Sequence, residues 1–534
     1  MGLFWGAPLI AGLAFSLAAV FDPAAWGAVF GHPQLGKALL LSVYTGSAAL
    51  VLSLVFALTI VAGLYQSRYW RLLSQANGVF LAIPHLAFAI GLGFLIMPSG
   101  WITRLLAQAI TGWSVPPAWI TTQDPFGISL TTALVCKETP FLIWSVWSLL
   151  ARGDTAQMLH GQWRSARSLG HAPGSIWVRL FIPQIITRIA WPAVIVWVYG
   201  ATVVDMALVI GPTQPPAYAV IAWADLNDAE ISINARGAAG ALLLTALLVA
   251  IGASVLGLSR LARRPLRGFM TMGPSMATGG KHVPLAIAML GALGLIYVLV
   301  VAVLMVMSAA AHWPFPHLLP DGAQWRSWNM LLSAPEPLLN SLWLAFLSTA
   351  SALGLAILWF ETMARRDDHL LVLLAAAALT IPQITLVGGQ YAVFLRADLT
   401  GTAAGVFLAH LTPVLAYVLV VLQGPYRTFD RRLRSVSLGL NCSAWRFWSA
   451  IKAPLMMPAL SAAAAVGFAV SMAQFLPAQL IGSGRITTLP VEAVTLASGG
   501  NRALQAVYAL ALTIPPALGF LLAQRLGHPR WSRA

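Results

Sequence analysis

The amino-acid sequence predicts an all-α membrane protein of about twelve transmembrane helices, written as two six-helix repeats. Three observations predict this class. Of the 534 residues, 59% are hydrophobic and only 9% charged, whereas a soluble globular domain carries roughly 25% charged residues. Apolar runs of about twenty residues recur along the chain, the length at which a rise of 1.5 Å per residue crosses about 30 Å of hydrocarbon. Landmarks of the first half then return in the same order in the second.

The spans fall near residues 2–20, 40–64, 77–97, 128–150, 189–211, 237–258, 283–307, 338–360, 370–395, 402–423, 457–482 and 505–524. The first is read as retained, because "MGLFWGAPLI" lacks the basic segment of a cleaved signal peptide and no Lys or Arg precedes Lys37. Gly2 does not open a myristoylation motif, since position 6 is Gly rather than Ser or Thr. The third span carries "LAIPHLAFAIG", the fourth Lys137, Glu138, Thr139 and Pro140, and the fifth Asp205. After the sixth comes a basic, Gly- and Pro-containing stretch, 259–282, that reads as a cytoplasmic linker between halves 1–258 and 283–534. The ninth span carries "LTIPQITLVGG", and the tenth His410 followed by Thr412 and Pro413.

Threading these spans from a cytoplasmic N-terminus puts 23 of the 31 Lys and Arg residues in inside loops and leaves both termini inside. The opposite orientation violates the positive-inside rule. The net charge of +15 is therefore read as topology and contact with anionic lipid headgroups, not as nucleic-acid binding. Cys136 and Cys442 are isolated from each other, so neither a disulfide framework nor a metal site is expected.

Leu81, Ile83, Pro84 and Gly91 align with Leu379, Ile381, Pro382 and Gly389, and Thr139-Pro140 with Thr412-Pro413. After the fifth and eleventh spans, "VIGPTQPPAYAV" and "LIGSGRITTLPV" pair Gly211 with Gly482 and Val220 with Val491. A tandem repeat of this kind suggests a translocation path between pseudo-symmetric halves. The prolines are expected to kink their helices and to free carbonyls toward that path.

Ionisable groups inside a membrane are costly and face a cavity or a partner. Lys137, Glu138, Asp205 and His410 are accordingly candidate pathway or gate residues, with neutralisation between helices as the structural alternative. Lys137 and Glu138, as helix neighbours, point about 100° apart. Lys137 is expected to pair with Asp205 across the fourth and fifth spans. His85 and His410 hold the places of Gln383 and Lys137 in the other half, where a lone His is more often a hydrogen-bonded packing element than a ligand.

Two further stretches match. "WRSARSLGHAPGSIWVRLFIP" at 163–183 and "RRLRSVSLGLNCSAWRFWSAIKAP" at 431–454 each contain Ser-Leu-Gly, a polar turn, a Trp- and Arg-rich segment and a closing proline. A short helix stopped by Gly and resumed toward a Pro-started span offers a knob for another protein, while Trp163, Trp177, Trp445 and Trp448 would also suit an ordinary interfacial helix. The pattern resembles the EAA loop of binding-protein-dependent ABC importer permeases. On that resemblance Ala166 takes the second Ala place, Gly170 the Gly, and Leu180, Ile182 and Pro183 the closing residues, while Arg164 stands where the family has Glu. In the second copy Leu433 takes the Glu place, Ser435 the Ala place, Gly439 the Gly and Pro454 the Pro, which follows its Gly by fifteen positions rather than thirteen.

The resemblance implies a type I ABC importer permease fused in tandem, similar to thiamine- and iron-type permeases, with a thiamine-like solute as first expectation. It also implies two separate ATPase subunits gripping the loops, a periplasmic solute-binding protein, and a bacterial inner-membrane location. "GHPQLGKA" at 31–38 satisfies Gly-x4-Gly-Lys, but Ala38 replaces the Mg-binding Ser or Thr and no strand precedes it. ATP and Mg are therefore expected on the partner ATPase, with no cofactor on this chain. An ion-coupled secondary transporter with six-plus-six spans is the alternative reading.

Overall fold

Apolar runs this long leave the backbone no partner but itself, so the chain folds as helices. A computed structural model describes residues 6–65, 67–150, 153–261, 268, 282–363, 368–430 and 432–527. Among them nine helices are long and apolar enough to cross a membrane, or up to twelve if three bent pairs each count as one span. The linker expected over 259–282 lies outside the described residues except for 259–261, 268 and 282.

The first half runs α1 (Ala7–Ala18), α2 (Pro23–Phe30), α3 (Leu35–Leu64), α4 (Trp70–Ala82), α5 (His85–Ile96), α6 (Trp101–Leu106) and α7 (Ile128–Leu150). It continues with α8 (Gly153–Ser168), α9 (Pro173–Ile176), α10 (Ile182–Arg188), α11 (Ala190–Thr202), α12 (Asp205–Ile210), α13 (Tyr218–Leu226) and α14 (Ile231–Leu261). The second half opens with α15 (His282–Ser308), α16 (Arg326–Ser333), α17 (Glu336–Thr362), α18 (Asp368–Thr380), α19 (Gln383–Arg396) and α20 (Ala403–Thr428). There follow α21 (Arg432–Gly439), α22 (Ala444–Phe447), α23 (Ala453–Met472), α24 (Leu476–Gly482), α25 (Leu489–Ala497) and α26 (Arg502–Gly527).

Four expected spans are not continuous helices. The third and ninth break at Pro84 and Pro382, and α18 and α19 diverge by 102°. Proline lacks the N–H that would continue the ladder and its ring clashes with the preceding turn. The fifth breaks without proline at Val203-Val204, whereas the eleventh breaks at Ala473–Phe475, where Pro477 in the first turn of α24 has no N–H for the Ala473 carbonyl. By contrast Pro140 and Pro413 sit inside the uninterrupted helices α7 and α20. Pro140 deprives the Cys136 carbonyl of its helical donor, and the Tyr297 hydroxyl of α15 donates to that oxygen at 3.2 Å.

Tyr297 belongs to the second half, and the crossing is reciprocal. Helix α15 packs on α3 and α5, while α1 packs on α19. Ser16 of α1 donates to the Thr385 carbonyl at 2.7 Å. The paired glycines of the repeat mark these crossings: a Cβ on Gly91 would lie 2.7 Å from Val300, and one on Gly389 would collide with the Gly12 carbonyl. Each half therefore lends its first helix to the other, and the core is shared.

Candidate translocation cavity and paired loops

The four broken helices converge on one cavity of about 240 Å³ between the halves. Non-helical backbone at membrane depth is tolerated where it lines a cavity, and Val203, Val204, Ile381 and Gln474 at the breaks all line this one. Its polar wall comprises His85, Lys137, Glu138, Tyr199, Thr202 and Asp205 from the first half. The second half contributes Gln383, Gln390, Tyr417 and Gln474.

Lys137 does not pair with Asp205. Its ammonium donates to the backbone carbonyls of Phe80 at 2.9 Å and Ile83 at 2.6 Å, and lies 5.4 Å from the centre of the Tyr297 ring. The reason is the break at Pro84: Phe80 is the residue whose carbonyl the missing Pro84 N–H would have met, and Ile83 ends the helix. A cation placed there satisfies orphan carbonyls and meets the negative end of the α4 dipole. At 2% exposure the side chain is committed to this cap.

Glu138 turns to the cavity instead, its Oε1 3.1 Å from Nε2 of His85, whose ring meets Tyr199 edge-on at 4.9 Å. Asp205, the first residue of α12, lines the cavity; its carboxyl accepts the backbone N–H of Met206 and lies within electrostatic reach of His85. His410 takes no part in the cavity wall. It is buried, with Nδ1 3.0 Å from the Ser471 hydroxyl, so it packs α20 against α23. Gln383, in the place of His85, donates from Nε2 to Oε1 of Gln474 at 2.5 Å. Gln390 is 1% exposed; its amide nitrogen donates to the Thr412 hydroxyl at 3.0 Å while its Oε1 has no hydrogen-bond partner. Sequence reasoning missed Tyr199, Gln390, Tyr417 and Gln474, although a glutamine in an apolar span is itself a polar anomaly.

At one end of the bundle stand the two matched loops, and the structure corrects their alignment. In the first, α8 ends, Gly170 adopts φ +84°, and the His171 amide donates to the Ala166 carbonyl at 3.0 Å. In the second, the Cys442 amide donates to the Ser437 carbonyl at 2.9 Å and the left-handed residue is Asn441, φ +52°. Every step is thus displaced by 271 positions, and Asn441, not Gly439, is the counterpart of Gly170. Gly439 is the last residue of α21. With that register Pro454 follows Asn441 by thirteen positions, as Pro183 follows Gly170, and the apparent two-residue excess vanishes. Ser435 then matches Arg164 and Ser437 matches Ala166. Asparagine serves because its short polar side chain tolerates the left-handed region better than most.

The loops present the same surface. Leu169 is 71% exposed and its counterpart Leu440 77%. Arg164 and Ser435 are exposed. Beneath the tips, α9 and α22 each lead through one π-helical turn, Trp177–Phe181 and Trp448–Lys452, into the proline-started helices α10 and α23. Leu180, Ile182 and Pro183 are half-buried there, whereas Pro454 is exposed. Trp177 is buried against Tyr65 and Phe181; Trp445 is exposed and stacks on Trp448 at 5.7 Å.

No protein-family model matches the chain. An inner membrane ABC transporter permease protein, YnjC, of Escherichia coli strain K12 is 31% identical over 98% of this chain and 95% of its own length. PotI, a putrescine transport system permease protein of the same organism, is 27% identical over 22% of this chain and 42% of its own length.

Proposed function

The chain belongs to the permeases of ABC transporters, and from that premise we propose that it forms the solute path of an importer driven by two separate ATPase subunits. The observation that carries this reading is the pair of loops 271 positions apart, with one backbone path and an exposed leucine at the same place in each. Two equivalent knobs on one face match two copies of one partner. ATP and Mg are held by that partner, and a soluble binding protein delivers solute at the opposite face of the inner membrane. The loops, the 259–282 linker between halves 1–258 and 283–534, and both termini are placed on the cytoplasmic side.

Arg164, Ala166, Gly170, Leu180, Ile182 and Pro183 form the first docking loop, and Ser435, Asn441 and Pro454 the second. The rigid π-turns and prolines behind the tips give nucleotide-driven closure a lever on α11 and α23, which border the cavity. The solute is small, with a thiamine-like compound as the specific proposal. A gradient-coupled carrier has no use for paired docking knobs.

Co-purification tests this reading. Leu169→Glu with Leu440→Glu places a charge at each contact and should abolish retention of ATPase subunits, while the melting temperature stays within the range of ordinary surface changes. A cysteine at position 169 should label only from the cytoplasm. Undiminished ATPase retention by the double variant refutes the docking assignment.

A further inference from the structure

We propose that a groove beside the second docking loop is a binding site for an anionic phospholipid of the cytoplasmic leaflet, with Arg427 and Arg434 as its headgroup ligands. The proposal goes beyond the transport reading and takes from it only the side of the membrane on which the loops lie. Its basis is a difference between two loops that otherwise share one backbone path.

The groove, of about 970 Å³, lies where α17, the end of α20 and the loop from α21 to Lys452 meet. Displaced back by the 271 positions that relate the loops, Arg434 and Lys452 become Trp163 and Phe181. In the first loop those two rings pack together at 6.0 Å, and Phe181 is wholly buried. The second loop keeps the tryptophan between them, Trp448 for Trp177, but sets two cations in place of the aromatic plug and leaves the space open. Arg427, at the end of α20, lines the same groove.

Charge and shape together select the occupant. Ring faces steady the cations without consuming their hydrogen-bond donors: Arg434 lies over Phe447 at 5.2 Å and Lys452 over Tyr426 at 4.7 Å. Glu361, 2.7 Å from Lys452, is the one carboxylate in the wall among the described residues, against three cations. The excess is positive, and guanidinium forks suit phosphate oxygens bidentately. Basic pockets between helices on the cytoplasmic side take lipid headgroups in this way. The opposite end of the groove is apolar, for Gly354, Ile357 and Leu358 lie up to two turns from Glu361 toward the middle of α17. A phosphate at the basic end therefore places acyl carbons against these residues, a contact for which free phosphate has no use. At roughly 30 Å³ per water in the liquid, the groove holds about thirty waters' worth, room for a headgroup and the first carbons of its chains. Trp445, exposed and stacked on Trp448, also lines it, as tryptophans do at headgroup level.

Nothing lies within 4 Å of a Cβ built on Gly354, so a cysteine there reports from inside the groove. The full chain with Cys136→Ala, Cys442→Ser and Gly354→Cys is labelled with bimane and reconstituted in lipid nanodiscs. Quenching by phosphatidylglycerol brominated in its acyl chains is compared with quenching by brominated phosphatidylcholine. Phe346→Cys, an exposed position on the same helix, gives the preference of the general lipid annulus. The preference for phosphatidylglycerol should be greater at 354 than at 346 by about tenfold or more, as expected for two cations near the surface. Arg427→Gln with Arg434→Gln should return it to the value at 346. Equal preference at both positions, or a preference that survives the double substitution, overturns the proposal. Loss of the preference when inorganic phosphate replaces chloride at constant ionic strength also overturns it and assigns the groove to the free anion. Bound ATPase subunits that abolish quenching at 354 overturn it in favour of a protein interface. Leu169→Glu and Leu440→Glu do not enter this measurement, so the docking reading and the lipid site fail separately.

Discussion

Replacing Lys137 with methionine keeps most of the side-chain volume and deletes the ammonium that closes α4. The wild-type group donates at 2.9 and 2.6 Å to two carbonyls left over by the Pro84 break. Hydrogen bonds from a charged donor contribute about 1.5–3 kcal/mol each, so the pair accounts for about 3–6 kcal/mol. Removing a buried ammonium also recovers some of its desolvation cost, several kcal/mol per ion in a protein interior. The net loss expected for Lys137→Met is about 2–4 kcal/mol, set by the two carbonyls that remain buried without donors. Denaturant titration of the purified chain in mixed micelles measures it. The cap makes a second demand: because Lys137 serves carbonyls rather than Asp205, Lys137→Met and Asp205→Asn should be additive within about 0.5 kcal/mol. A loss below about 1 kcal/mol for Lys137→Met, or a coupling above about 1 kcal/mol with Asp205→Asn, would refute the capping assignment.

Two other substitutions follow from the same geometry. Nothing lies within 4 Å of a Cβ built on Gly170 or Gly439, so any effect there is one of backbone conformation. Gly170→Val and Asn441→Val should each cost about 1–2 kcal/mol or more, since both positions are left-handed, whereas Gly439→Val should stay within about 0.5 kcal/mol; melting temperature and ATPase co-purification report both, and equal effects at 439 and 441 would restore the sequence-based alignment. Tyr297→Phe strips the donor from the Cys136 carbonyl freed by Pro140, and should destabilise the joined halves by about 1–2 kcal/mol in the same titration without altering ATPase retention.

The all-α membrane class, the two-fold repeat and the existence of two matching loops were all legible in the chain, because each rests on local composition or on residue types recurring in order. Pro84 and Pro382 announced interruptions for the same reason: a missing N–H is a property of the residue. Pro477 marks the break at Ala473–Phe475 in the same way, but the break at Val203-Val204 carried no such mark, since nothing in a valine pair forbids helix. There the backbone departs from the helix because it borders a cavity, which exists only after ten segments have come together.

Charge pairing shows the same division most clearly. Sequence by itself determined that Lys137, Glu138 and Asp205 lie at membrane depth and need compensation, since the energetic penalty of burial belongs to the group wherever it sits. It could not choose the partner. A backbone carbonyl is an acceptor at every position and becomes a ligand for Lys137 only when Pro84 orphans it and α7 packs against the end of α4. The loop register was settled likewise: Ser-Leu-Gly matches Ser-Leu-Gly by residue identity, but the left-handed turn that defines equivalence falls at Gly170 and Asn441. Residue identity is written locally, whereas hydrogen-bond partners and backbone handedness are set by which helices meet.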